Sequence, residues 1–354
     1  MLAMVFSSFF HNWERRFAAS TKDRVVRPFE WGLDWLDVPG AANLNGGSLD
    51  AFQQFVDTAM ADSTAWYHTT PAPAYELDAH NVLRFESALV TPHAANNVVH
   101  ARYFPAEIRN EKPDGRKRDD RRAAVVLLPQ WNSDAEGHIG LAKLLARFGM
   151  SGLRLSMPYH DVRMPAELHR ADYIVSANVG RTLQVCRQAV LDAKRAVYWL
   201  KARGYEHVGI LGTSLGSCLS MLTAAHEPLI EAAALNHISP YFADVVWEGL
   251  STAHVRQGLE GHIALDTLRA LWLPISPQPH LERMRQTKTL LVYAKYDLTF
   301  PVTLSRRLVR DFGVMKLPHE VAVLPCGHYS TGVSPFKWLD GYLLTKFLKK
   351  NLHA

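Results

Sequence analysis

The stretch Gly209-Ile210-Leu211-Gly212-Thr213-Ser214-Leu215-Gly216-Ser217-Cys218 limits what this chain can fold into more than any other. It reads as a buried strand from His207 to Leu211, a turn in which glycines flank a serine, and a helix from Leu215 onward. That is the nucleophile-elbow pattern G-x-S-x-G. A serine hydroxyl is a weak nucleophile, so its chemistry needs it exposed on a sharp turn beside a base that takes its proton. Gly212 and Gly216 suit the turn, because a Cβ there would obstruct close packing of helix on strand. Five letters can also coincide on an ordinary strand–helix turn, so the rest of the chain has to supply the partners.

The context is a repeated alternation of strand and helix. Two early strands, over 81–89 and 98–104, precede the continuous apolar run Ala123–Leu128, which reads as a parallel strand covered on both faces. Further strands are expected at Ser151–Met157, Glu231–His237, Thr287–Lys295 and His319–Leu324. Helices fall between them, over 137–148, from Val179 to Gly204, over 215–225 and around Leu304–Phe312; a last one opens with Ser334 as N-cap and Pro335 at its first position. Right-handed crossovers turn this order into an α/β fold, a mostly parallel sheet with helices on both faces. Between Pro240 and Pro279 the pattern breaks into short apolar pieces, and about 40 residues far exceed a usual ~2–6-residue connection. We read residues of about 240–280 as a small helical cap over the site.

Residues 1–79 read as an N-terminal helical extension and 80–352 as the α/β domain. In the extension, Phe6, Phe9, Phe10, Trp13 and Phe17 recur at helical spacing. Docking on the core is the preferred reading of that stripe, with contact to a membrane surface as the alternative. Pro39, Gly40, Gly46 and Gly47 mark a break, and Ser48 suits the N-cap of a second helix.

Charge and cysteine content narrow the classes further. The net charge of +5 owes much to Arg116-Lys117-Arg118-Asp119-Asp120-Arg121-Arg122, a mixed run that reads as a solvated loop, so no nucleic-acid partner is expected. Cys186, Cys218 and Cys326 are too few and too scattered for a disulfide scaffold or a zinc site. The apolar N-terminus lacks a basic n-region and a cleavage site, and no stretch requires a membrane span. A cytoplasmic location is the expectation.

In the elbow motif class the acid and the histidine follow the serine in that order. Asp297 lies just past the strand that ends at Lys295, and His328 just past the strand that ends at Leu324, with Gly327 easing a tight turn. Ligands of open parallel sheets bind at these carboxyl ends of strands. The expected triad is Ser214–Asp297–His328. Asp244 is the rival acid, and His160 and His237 are the histidines that could line the pocket, together with Gln130 and Tyr159. The oxyanion donors are expected to be the N–H of Leu215, at a helix N-terminus, and that of Trp131 in the loop Pro129-Gln130-Trp131-Asn132, with Gln130 second. H-E-x-x-H is absent, and neither a metal nor another cofactor is expected.

The motifs Gly212-Thr213-Ser214-Leu215-Gly216, Asp297 with Pro301, and Gly327-His328 resemble those of the α/β-hydrolase superfamily over residues 80–352. Within it the chain looks most like a branch of abhydrolase-domain proteins whose oxyanion turn carries Leu-Pro or Leu-Ala instead of His-Gly, here Leu128-Pro129-Gln130-Trp131. The resemblance implies hydrolysis of a small-molecule carboxylic ester through an acyl-enzyme. Thioester or amide cleavage would use the same triad, and a non-catalytic binding protein on this fold is the reading from another class. A haloalkane dehalogenase would carry aspartate where Ser214 stands.

Overall fold

The run Ala123–Leu128 becomes the middle strand of a nine-stranded sheet in a computed structural model that describes residues 2–36, 48–106 and 123–352. The strands are β1 (Tyr75–Leu77), β2 (Val82–Glu86), β3 (Val98–Phe104), β4 (Ala123–Leu128), β5 (Met150–Leu155), β6 (His207–Thr213), β7 (Ile230–Asn236), β8 (Lys288–Ala294) and β9 (His319–Leu324). Their order across the sheet is β1-β2-β3-β5-β4-β6-β7-β8-β9. The pairs β1–β2, β2–β3 and β3–β5 are antiparallel, and every pair from β5 to β9 is parallel.

Every residue of β4 is buried, and its period-2 alternation sorts them. Ala124, Val126 and Leu128 enter one apolar cluster with Val208 and Ile210 of β6, whereas Ala123, Val125 and Leu127 enter a second with Leu211. The helices are α1 (Leu2–Ser20), α2 (Ser48–Ala61), α3 (Ser63–Trp66), α4 (Ile139–Arg147), α5 (Val179–Ala202), α6 (Leu215–Ala225), α7 (Phe242–Glu248), α8 (Ala253–Leu259), α9 (Leu265–Leu271), α10 (Val302–Val314) and α11 (Phe336–Leu352). Apolar residues of α5 and α6 join the first cluster, and those of α4 and α11 the second, so both faces of the sheet are covered. The long helix α5 starts where the Asn178 side chain accepts the Arg181 N–H at 2.9 Å, satisfying one of its orphan donors. Between β7 and β8 the chain forms α7, α8 and α9, the short helices read as a cap.

Several element ends differ from the sequence reading. The sheet begins with β1 at Tyr75, inside the stretch read as the helical extension. The strand expected over 81–89 is shorter, α4 starts at Ile139 because His138 turns at φ 67°, and α11 starts at Phe336 instead of Pro335. The elbow strand runs two residues further, to Thr213. The 37–47 break, the Ser48 side chain and the charged run 116–122 lie outside what the structure describes.

The N-terminal segment is woven into the rest. Val179 N–H donates to Glu30 O at 3.0 Å and Gly180 N–H to Trp31 O at 2.9 Å. A Cβ on Gly180 would stand 2.1 Å from Gly32 O, so the crossing is closed to any larger residue. On α1 the buried line is Phe10, Glu14 and Ala18, one residue every helical turn. Phe6 and Phe9 of the expected stripe are half exposed, at 50% and 59%, so only part of that stripe docks.

Candidate active site

The elbow is a strained turn held by two glycines. Ser214 adopts φ 58°, ψ −121°, a backbone conformation that non-glycine residues rarely tolerate unless their surroundings impose it. Its N–H is tied to Asn236 O at 2.8 Å. A Cβ on Gly212 would sit 2.1 Å from Gly216 O, and one on Gly216 would sit 2.2 Å from Leu128 O and 2.5 Å from Pro129 O. These contacts press the start of α6 against the turn after β4. They bring the Leu215 N–H, free of a backbone partner at the helix N-terminus, to the loop that carries Gln130 and Trp131.

Asp297 is buried beyond the end of β8, and four donors converge on it. Thr299 N–H and Phe300 N–H reach Oδ1 at 2.8 and 2.7 Å. His328 Nδ1 reaches Oδ2 at 2.9 Å, and His237 Nδ1 reaches the same oxygen at 2.8 Å. Burial alone would raise the Asp297 pKa, but the two imidazoles outweigh it and hold the carboxyl well below the usual range. For His328 burial pulls the pKa down, while the charge and hydrogen bond of Asp297, with a smaller push from Glu14, leave it raised. His237 goes the other way: burial and the neighbouring His328 lower its pKa despite Asp297. Since Nδ1 of His328 is committed to Asp297, Nε2 is the nitrogen left to serve as a base.

Ser214 and His328 line one cavity of about 1280 Å³, with Gln130, Trp131, Leu215 and His237. Their side chains share it without a hydrogen bond between them among the described residues. Cap residues Phe242, Val245 and Val246 line it too. Trp131 donates its indole N–H to Ala171 O at 2.9 Å and stacks on His254. His160 shapes the same loop: its Nδ1 bonds Pro158 O at 2.9 Å, and its Nε2 accepts the Asn132 N–H at 3.0 Å. Burial lowers its pKa to about 4, which keeps that acceptor unprotonated.

One expectation is corrected, and the rival acid is placed elsewhere. Tyr159 does not line the cavity; at φ 63° it is fully buried, with its hydroxyl on His93 Nδ1 at 2.9 Å and its ring edge-on to Tyr173. Asp244, the rival acid, is ion-paired with Arg269 at 2.5 Å and serves the cap helices. The structure also shows convergence that the sequence spacing hid. His237, Asp297 and His328 are the one group of three or more close metal-type ligands among the described residues. Both imidazoles approach a single carboxylate oxygen at N–H···O distances, which accounts for the group as one hydrogen-bonded cluster.

The residue that sequence reasoning missed altogether is Glu14. Fully buried on α1, its carboxylate accepts the Tyr329 N–H at 2.8 Å, the Ser330 N–H at 3.0 Å and the Ser330 hydroxyl at 2.8 Å. It also packs on Gly327, where a Cβ would come within 2.3 Å of the carboxyl carbon. One turn earlier, Phe10 stacks on Tyr296 at 4.7 Å. One helix thus grips the residue before Asp297 and both neighbours of His328. The only signal in the sequence was a carboxylate four residues after Phe10, which reads as solvent-facing.

A parallel sheet with an antiparallel edge, an elbow after β6 and an acid and histidine after β8 and β9 define the α/β-hydrolase fold, and solved structures share it. The chain is similar to the acylaminoacyl peptidase of Pyrococcus horikoshii, with 15% identity and a TM-score of 0.57 over 80% of this chain and 42% of that one. It is similar to acetyl xylan esterase 1 of a Thermoanaerobacterium species, with 14% identity and a TM-score of 0.57 over 91% and 98%. It is similar also to an acetyl xylan esterase of a Paenibacillus species, with 13% identity and a TM-score of 0.58 over 90% and 99%. The chain therefore spans less than half of the peptidase and nearly all of both esterases. No protein-family model and no curated protein sequence matches it. Among the described residues, no helix is long and apolar enough to cross a membrane.

Proposed function

We propose that this chain is a serine hydrolase that cleaves a carboxylic ester through an acyl-enzyme, and that it belongs to the abhydrolase branch with a Leu-Pro oxyanion turn. The observation that carries the reading is Ser214, held at a strained φ in a cavity shared with a histidine whose other nitrogen is fixed by a buried carboxylate. In this mechanism Ser214 Oγ attacks the carbonyl while His328 Nε2 takes its proton. The N–H groups of Leu215 and Trp131 receive the developing oxyanion. His328 then protonates the leaving alcohol, and water, deprotonated by the same nitrogen, releases the acid and restores Ser214. Asp297 holds the tautomer and stabilises the imidazolium throughout. Residues 80–352 carry the chemistry, and the stretch before them braces it.

The structural neighbours support this reading: the two acetyl xylan esterases favour an ester, and the acylaminoacyl peptidase an amide, as the bond cleaved. The test is labelling with a fluorophosphonate, followed by a panel of esters, thioesters and anilides. Wild type should label at Ser214 and turn over esters fastest, and Ser214→Ala should do neither while melting at the same temperature. A Ser214→Ala variant with activity within tenfold of wild type would sink the assignment.

A further inference from the structure

Arg170, in the wall of the cavity, and Arg27, outside it, are each matched by an acid of the protein itself. Arg170 pairs with Asp23 at 2.7 Å and Asp172 at 3.5 Å, and Arg27 pairs with Asp172 at 3.0 Å. Arg24, which lines the cavity of Ser214 and His328, has no carboxylate partner among the described residues. Its hydrogen bond is from Nη2 to the Tyr329 hydroxyl at 3.0 Å, and its Nε is buried without a partner. A guanidinium has five N–H donors in a rigid fork, so most of those on Arg24 are uncommitted.

The arginine is tied into the same lattice as the acid and the base. The Tyr329 hydroxyl meets Ser251 Oγ at 2.7 Å, Ser251 Oγ meets Thr299 Oγ1 at 2.8 Å, and the Thr299 N–H holds Asp297 Oδ1 at 2.8 Å. Beside it, His254 stacks on Trp131 with both ring nitrogens buried and unpartnered. Burial, then the charges of Arg170 and Arg24, push the His254 pKa down to about 4, so it adds no charge. Of Arg24, Arg27 and Arg170, Arg24 is the one that no carboxylate of the described residues stands against.

We infer that Arg24 anchors one negatively charged oxyanion of the substrate, so that the ester cleaved at Ser214 carries a carboxylate or a phosphodiester away from the scissile bond. A fork of parallel donors suits either group. This rests on the hydrolase reading of Ser214 for turnover but not for binding, and the experiment separates the two. In the Ser214→Ala background, which cannot consume the probe, calorimetry compares monomethyl glutarate with dimethyl glutarate. The hemiester should bind at least about tenfold more tightly, the scale of a charge-assisted hydrogen bond. Arg24→Gln should erase that ratio, and Arg24→Lys, which keeps the charge and loses the fork, should leave part of it. Equal affinities for the two esters, or a ratio untouched in a folded Arg24→Gln protein, overturn the inference. A diester whose remote group is a methyl phosphodiester, run alongside, tells the two anions apart. The same pairs, read as kcat/KM in wild type, should show the same preference. Absence of turnover there would count against the hydrolase reading and leave the binding result to decide the anchor.

Discussion

Replacing Glu14 with alanine should damage a site to which the residue contributes no reacting atom. The Glu14 carboxylate accepts two backbone N–H groups and one hydroxyl of the loop after His328. The Ser330 hydroxyl keeps the Gly327 N–H at 2.8 Å as a partner, but the N–H groups of Tyr329 and Ser330 lose theirs. One buried and one part-buried donor left unpaired cost up to about 1–3 kcal/mol each, so at most about 6 kcal/mol together if the loop stays in place. The loop can escape that cost by moving to water, and then His328 moves with it; a shift of about 1 Å at a reacting group can cost ~10²-fold in rate. Glu14→Ala should therefore lower the melting temperature by several degrees and lower kcat/KM by about ten- to a hundredfold. Glu14→Gln keeps one acceptor oxygen and the volume but sets its NH2 against a loop donor and loses the charge, so it should cost less stability than alanine and also shift the pH dependence. The Glu14 charge favours the imidazolium of His328 and helps hold its pKa up. Without it the neutral, proton-accepting form persists to lower pH, and the acid limb of kcat/KM should move down. The assay is a pH–rate profile from 5 to 9 with a parallel thermal melt, with Phe9→Ala as a control on the exposed face of α1. An unmoved acid limb in Glu14→Gln, or a Glu14→Ala protein as stable and active as wild type, would refute the reasoning.

Asp297→Asn should fold and slow ester turnover by up to ~10⁴-fold through loss of the His328 tautomer, whereas Asp244→Asn should act only through the cap; the reverse ranking in kcat would reject the acid assignment. Asp340, bonded to Asn236 Nδ2 at 2.9 Å, has its pKa raised by burial to about 7, so the folded protein holds a proton that the unfolded chain releases above about pH 4. Its stability contribution is lost as pH rises toward 7, and Asp340→Asn should raise the melting temperature at pH 8.5 but not at pH 4; an equal shift at both would contradict this. Burial lowers the pKa of His226 to about 2 and that of His280 to about 4, so these groups stabilise the fold above their unfolded value of about 6.5 and destabilise it as pH falls. The melting temperature should fall between pH 6.5 and 4, less steeply in a His226→Gln/His280→Gln double variant. EDTA should leave the pH–rate profile of wild type unchanged; a loss of activity would make His237, Asp297 and His328 a metal site.

What could be read from the sequence was whatever is encoded locally. The elbow, the all-apolar β4 and the serine, acid, histidine order each occupy a few consecutive residues or follow the strand alternation, and α6, β3 and β9 keep their expected ends. Tyr159 was misplaced because its direction is set by a positive φ, which a tyrosine does not announce. His237 was named but not its bond to Asp297, since the adjacency of β7, β8 and β9 is what joins residues 60 positions apart. Glu14 was invisible for the same reason in stronger form, because its partners lie 315 and 316 positions away. A carboxylate on a helix carries no mark of whether a distant loop will bury it.

The grip of α1 on the two far loops also has a meaning for how the molecule comes into being. Synthesis delivers Glu14 315 residues ahead of Tyr329, so α1 waits through that interval without the loop it holds. The sheet as far as β7 can assemble in the meantime, with Ser214 already on its elbow. A ribosome-bound chain is then a scaffold with Ser214 in place and His328 not yet fixed. On the proposed function, the site is complete only when β9 has closed its edge of the sheet and α1 has met the loop after His328.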